Sequence, residues 1–117
     1  MTDFWETLAK LVTTSKISID RPKGSQHPHY TDFIYPLDYG YLSDTSAMDG
    51  GGIDVWRGSK SEETLDAIVA TVDLIKRDSE IKVLIACTAD EQQTVLAIHN
   101  ATSSQKGILI TNPHASA

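Results

Sequence analysis

Apolar positions repeat along this chain with two periods, and the period assigns each stretch to helix or strand. In DFWETLAKLVT (residues 3–13), Phe4, Leu8, Leu11 and Val12 fall on one helical face, and Thr2 or Asp3 can cap its start. Trp5 lies beside that face, so the helix can cover the core or pack on a partner subunit. KISID (16–20) alternates with period two and predicts a strand, which Pro22 ends or keeps at a sheet edge. Short strands are expected at 33–35, 39–42 and 53–56. DAIVATVDLIK (66–76) predicts a long β-branched strand with Ile68, Ala70, Val72 and Leu74 on one face. After a turn at RDSE (77–80), IKVLIAC (81–87) alternates again. Lys82, Leu84 and Ala86 then oppose Ile81, Val83, Ile85 and Cys87. Thr88-Ala89-Asp90-Glu91 is a capping box that opens a helix to about Asn100, with Val95, Leu96, Ile98 and His99 on its apolar face. A last strand is expected at 107–111, and the tail follows Pro113.

The stretch between the strands at 39–42 and 53–56 carries the densest chemistry. Asp49-Gly50-Gly51-Gly52-Ile53-Asp54 sets two carboxylates five residues apart across three glycines. Such carboxylates repel unless a cation lies between them, and hard divalent cations prefer oxygen ligands. The same composition also makes an acidic, solvated turn. Upstream, Arg21-Pro22-Lys23 and the pair His27 and His29 form a loop suited to phosphate contact or to plain solvation. Arg21, Lys23 and Arg57 are phosphate-binding candidates on charge.

Composition narrows the classes. The chain has 117 residues, which suits one domain, residues 1–117. Its net charge is −6, from 10 Lys+Arg against 16 Asp+Glu, so phosphate neutralisation along a nucleic acid is not expected. No apolar run reaches the roughly 20 residues of a membrane helix. The N-terminus lacks the basic start and apolar core of a signal peptide. The single cysteine, Cys87, sits in an apolar run and reads as a buried small hydrophobe. These features together give the expectation of a cytoplasmic protein.

Tyr35-Pro36-Leu37-Asp38-Tyr39-Gly40-Tyr41, followed by Asp49 and Asp54, resembles the soluble (family I) inorganic pyrophosphatases. In that family a tyrosine-glycine-tyrosine strand precedes an acidic motif, D-x-D-P-x-D. Asp49 and Asp54 take its first and last aspartate positions, and Gly51 and Gly52 stand in place of its middle Asp-Pro. The resemblance extends to Asp20-Arg21-Pro22, to His29-Tyr30 at a basic-x-Tyr element, and to Asp78, Glu80 and Lys82 at a late acidic pair followed by lysine. Nothing matches the family's C-terminal Tyr-Lys pair.

This resemblance implies an α+β, mainly β fold, a small closed OB-like β-barrel with two or more flanking helices. It implies magnesium-dependent hydrolysis of inorganic pyrophosphate by a metal-activated water. Asp49, Asp54, Asp78 and Glu80 would hold the metal. Asp20, Asp49, Asp54, Tyr39 and Lys82 would serve the chemistry, and Arg21, Lys23, His29 and Arg57 would bind substrate. The partner implied is pyrophosphate or a related phosphorylated small molecule, with no nucleic acid and no membrane, in a homo-oligomer. Gly51 at the middle aspartate position supports a second expectation, a catalytically impaired homologue that binds phosphate or a nucleotide. Without the resemblance, RDSE reads as a charged hairpin tip.

Overall fold

The computed structural model describes residues 2–47 and 50–115. Two helices and six strands follow in the order α1 (Phe4–Thr13), β1 (Ile17–Arg21), β2 (Asp38–Leu42), β3 (Ile53–Arg57), β4 (Leu65–Asp73), β5 (Asp78–Ile85), α2 (Ala89–Ile98) and β6 (Gln105–Thr111). The strands make one mixed sheet ordered β1-β2-β3-β5-β4-β6. All neighbours are antiparallel except β3 and β5, which run parallel because β4 supplies the return between them. The fold is therefore α+β and mainly β, as the resemblance implies.

Closure of the barrel is the point of difference. The sheet is open, with β1 and β6 as its edges. The stretch at 33–35 contributes one isolated bridge, Gln26 to Ile34, in place of a strand. Pro22, Pro28 and Pro36 remove ladder donors from segment 22–37, so it crosses the sheet as a loop and leaves β1 paired to β2 alone.

Local chemistry sets the element ends. The Asp3 carboxylate accepts the Glu6 N–H at 2.8 Å and caps α1, while Thr88 and Glu91 complete the reciprocal capping box of α2. The β4–β5 hairpin turns earlier than the apolar alternation predicts. The Asp73 carboxylate accepts the N–H groups of Ile75 and Lys76 at 2.9 and 3.0 Å, which ends β4 at Asp73. At the other end, Ala86 adopts a positive φ of 56°, so β5 stops before Cys87.

Each face of the sheet has its own core. Tyr35, Leu37, Trp56, Ala67, Val69, Leu84, Cys87 and Val95 pack together on the α2 side. Val12, Leu42, Val55, Leu65, Val83 and Ile85 pack on the α1 side with Trp5, Leu8 and Ala9. The inward residues of α1 thus centre on Trp5, Leu8 and Val12, whereas Phe4 and Leu11 of the expected face remain exposed. Between Leu65 of one core and Ala67 of the other, Asp66 is buried, and its carboxylate accepts from Lys60, Thr64 and the backbone of Cys87, each at 2.9 Å. The Cys87 thiol is buried, which pushes its pKa up to about 12, with the charges of Glu91 and Asp66 acting the same way. It behaves as packing, not as a nucleophile.

Candidate functional site

Strand alternation decides which candidate residues can meet. Asp54 and Trp56 project from β3 toward the α2 side, and Val55 and Arg57 toward the other. In β2, Tyr39 stands opposite Trp56; in β5, Leu84 lies beside Trp56. Lys82, two residues before Leu84, consequently comes abreast of Asp54. Its ammonium lies 2.6 Å from Asp54 Oδ2 and 2.8 Å from Glu80 Oε2. Four expected residues, Tyr39, Asp54, Glu80 and Lys82, are thereby gathered at one place.

The electrostatics of this cluster are tightly coupled. Burial pulls the Lys82 ammonium toward deprotonation, but its bonds to Asp54 and Glu80 and their charges outweigh that effect, leaving its pKa raised. The Tyr39 phenol is pushed far up, first by burial, then by the charge of Asp54 and its hydrogen bond with that carboxylate. Tyr39 is therefore a fixed neutral donor. The second Glu80 oxygen, Oε1, is buried without a hydrogen-bond partner among the described residues. A buried carboxylate oxygen left unsatisfied is costly. Two carboxylates bridged through one oxygen each, one of them with this orphaned second oxygen, match the hard donor set that a magnesium ion takes alongside substrate phosphates.

Asp20 and Arg21 sit at the end of β1, with Arg21 paired across to Tyr39. Arg21 reaches the Tyr35 phenol, where its charge and hydrogen bond oppose the upward push of burial. Its own carboxylate neighbour, Asp20, is 3.9 Å away and exposed. Arg21 thus borders the cluster as a solvent-accessible cation.

The remaining candidates lie elsewhere. Arg57 and Asp38 form a 3.1 Å pair, with Glu63 3.7 Å from the guanidinium. Lys23 joins them through its backbone N–H, which donates to Asp38 at 2.9 Å. That bond, opposed by burial and reinforced by Arg57, holds the Asp38 carboxyl below its usual range. Lys23 and Arg57 line a separate hollow with Ser59 and Glu91. Asp78 stands opposite Asp73 at the hairpin end, beside Arg77. His29 is exposed at the tip of the 22–37 loop. Asp49 lies outside the described residues. In the adjoining glycines, Gly50 has a φ of +83°, and a side-chain carbon at Gly52 would come within 2.7 Å of the Tyr41 ring. Gly52 is thus a packing requirement of the loop.

Sequence reasoning missed the support beneath the cluster. The Trp56 indole N–H donates to His99 Nε2 at 3.0 Å, and His99 Nδ1 meets Gln105 Oε1 at 3.0 Å. An indole can only donate, so Nε2 is bare and the imidazole proton resides on Nδ1. Burial lowers the His99 pKa and keeps this neutral tautomer. Gln105 continues the chain to Asp73 at 3.2 Å. A histidine on the buried face of α2 was the available signal; its partner, 43 residues away, was not. Among the described residues, the one trio of carboxylate and imidazole groups close enough to share an ion is Asp3, Glu6 and His114. It is exposed, and its Asp3–His114 pair at 2.6 Å ties the tail to the cap of α1.

No protein-family model matches the chain, and no curated protein matches it. Solved structures do. The chain is similar to an inorganic phosphatase from Anaplasma phagocytophilum, with 14% identity and a TM-score of 0.51 over 83% of this chain and 74% of that one. It is equally similar to an inorganic pyrophosphatase from Coxiella burnetii, with 14% identity, a TM-score of 0.51, and 84% and 77% coverage. An inorganic pyrophosphatase from Helicobacter pylori gives 12% identity and a TM-score of 0.51, with 84% and 74% coverage. This likeness establishes a pyrophosphatase-like, OB-related fold. No helix among the described residues is long and apolar enough to cross a membrane.

Proposed function

We propose that this chain hydrolyses a phosphoanhydride, inorganic pyrophosphate first, with magnesium as cofactor. The observation that carries this reading is the Lys82 ammonium held between Asp54 and Glu80, with Tyr39 bonded to Asp54. These residues come from three strands, β2, β3 and β5, of a sheet whose fold is pyrophosphatase-like. In the reaction, water adds to one phosphorus as the bridging P–O bond breaks, giving two phosphates.

Asp54 and Glu80, with Asp49 as a further carboxylate, would hold the ion. Bound there, magnesium supplies positive charge to the phosphoryl oxygens and acidifies water. Lys82 is occupied by its two carboxylates and becomes available to phosphate when they are neutralised from another side. Arg21 offers a second cation at the rim, and Tyr39 orients Asp54 without ionising. Asp20 would assist Arg21, and Asp78 is a reserve carboxylate at the hairpin end. Purified protein should release phosphate from pyrophosphate with magnesium and not with EDTA, and Asp54→Asn should lower that rate about 100-fold or more. Magnesium-dependent binding of pyrophosphate without turnover would instead support a binding homologue, the reading that Gly51 favours.

The apolar positions left bare on the α1 side support assembly with a second copy. Ile81, Ile108, Ile110 and Val72 are 40–61% exposed on one sheet face. They adjoin the open edge of β6, whose outward N–H and C=O groups can pair with a symmetry-related β6. Sedimentation should show a dimer or larger form that Ile108→Asp converts to monomer; an unchanged mass would remove this interface.

A further inference from the structure

Five rings, His27, His29, Tyr30, Phe33 and Tyr35, crowd into the nine residues from 27 to 35. The loop that carries them is knit by its own bonds. His27 Nδ1 accepts the backbone N–H groups of His29 and Tyr30 at 3.0 and 3.1 Å. The His27 N–H donates to the Phe33 carbonyl at 3.0 Å, and the Phe33 N–H to the Tyr30 carbonyl at 2.9 Å. The Gln26 amide donates to the Thr31 carbonyl at 2.7 Å. Together these bonds hold Tyr30 outward with 73% of its surface exposed.

The rings connect this tip to the Asp54–Lys82 cluster. Tyr30 and His27 have centroids 5.0 Å apart, and His27 and Tyr35 lie 6.1 Å apart and nearly parallel at 12°. Tyr35 is 5.6 Å from Tyr39 at 27°. The Tyr39 phenol feels the Asp54 carboxylate and the Tyr35 phenol feels Arg21, so the inner end of the row adjoins the Asp54–Lys82 cluster. The inner rings belong to the core. Tyr30 and His29 do not, and packing alone gives no reason to fix them in water.

We propose that Tyr30, His29 and His27 form a nucleobase platform, and that the site accepts nucleoside diphosphates as phosphoanhydride substrates. This rests on the phosphoanhydride reading of the Asp54–Lys82 cluster. A pyrophosphate group seated at Arg21 and Lys82 leaves the outer rings without a partner; in a nucleotide the base would take that role, reached from Tyr39 along centroid steps of 5.6, 6.1 and 5.0 Å. Every base offers a π-face to such rings, so the platform selects for a base without selecting which one. In the reaction, water adds to the terminal phosphorus and the anhydride P–O bond breaks. The bridging oxygen leaves with the nucleoside monophosphate, orthophosphate forms, and the proton passes to solvent.

Calorimetric titration of ADP, methyl diphosphate and pyrophosphate, each with magnesium, tests this directly. ADP should bind about tenfold or more tighter than methyl diphosphate, and Tyr30→Ala should reduce the ratio of ADP to pyrophosphate affinity by a similar factor. Tyr30→Phe, which keeps the ring face, should preserve that ratio. Equal binding of ADP and methyl diphosphate, or a ratio unmoved in Tyr30→Ala, overturns the platform while pyrophosphate binding upholds the site. ADP held through Tyr30 but not hydrolysed supports the platform and counts against the chemistry. Binding of none of the three ligands overturns both.

Discussion

Replacing Lys82 with methionine should cost about 3 kcal/mol of stability and lower phosphate release at least about 100-fold. Methionine keeps the volume of the stem but leaves Asp54 and Glu80 facing each other without the ammonium. Breaking a buried pair by removing one partner costs roughly 3–5 kcal/mol; the lower end applies here, because the Asp54 side chain retains 22% of its exposure. The pH dependence gives the sign. In the wild type, Lys82 has a folded pKa above its ordinary 10.5, so its contribution is complete below that value and fades as pH rises through the folded one. In the variant, the facing carboxylates repel each other in the folded state and not in the unfolded one, so acid, which neutralises them, should narrow the deficit between pH 7 and pH 5. Denaturant midpoints at both pH values should therefore show the deficit shrinking in acid. Magnesium at millimolar concentration should stabilise Lys82→Met more than wild type, because the ion no longer competes with an ammonium. A deficit that ignores both pH and magnesium would mean that the two carboxylates are not coupled and do not form a cation site.

Much of this arrangement is readable from the chain, and the exceptions have physical causes. Alternation in residues 81–87 places Lys82 opposite the purely apolar face, and the resemblance pairs it with Glu80. Both agree with the geometry. Alternation also carries a warning that the net charge of Arg57 obscures. Asp54 and Arg57 differ by three positions in one strand, so they face opposite sides, and Arg57 spends its charge on Asp38 and Glu63. Lys23 follows it because its loop runs to the same end of β2. The hairpin boundary escapes a reading of apolar period, since Asp73 turns the chain by a side-chain-to-backbone bond that hydrophobicity does not register. The barrel's failure to close depends on three prolines in segment 22–37 outweighing its aromatic strand propensity. The contact of His99 with Trp56 has no local signature at all. It exists because α2, inserted between β5 and β6, packs Val95 into the core that holds Trp56 and so brings His99 to the indole.

The tyrosine-glycine-tyrosine stretch supplies the second large effect: Gly40→Ala should detach β1 and remove most activity. Gly40 faces Ile19 across the β1–β2 ladder, beside the irregularity that separates Ile19 from Arg21. A methyl group there would overlap the Ser18 carbonyl oxygen, with the Ser18 carbonyl carbon at 2.8 Å and Ile19 Cα at 2.9 Å. These are backbone atoms, so no rotamer change relieves the overlap and the strands must separate. Overpacking alone costs about 1–3 kcal/mol, and lost ladder bonds add to it. Because β1 is an edge strand held by β2 alone, the damage should remain local. Amide exchange should accelerate at residues 17–21 and along the facing edge of β2, while β4 and β5 keep their protection. Activity should fall with β1, because Arg21 leaves the Tyr35 phenol and the rim of the Asp54–Lys82 cluster loses its accessible cation. Unchanged exchange at 17–21 would show that β1 tolerates a wider separation. Lost β1 protection with full activity would show that Arg21 is dispensable, leaving Lys82 as the phosphate-binding cation. The glycine of this stretch therefore acts at a distance from the chemistry, by allowing the strand that carries Arg21 to lie close enough to reach it.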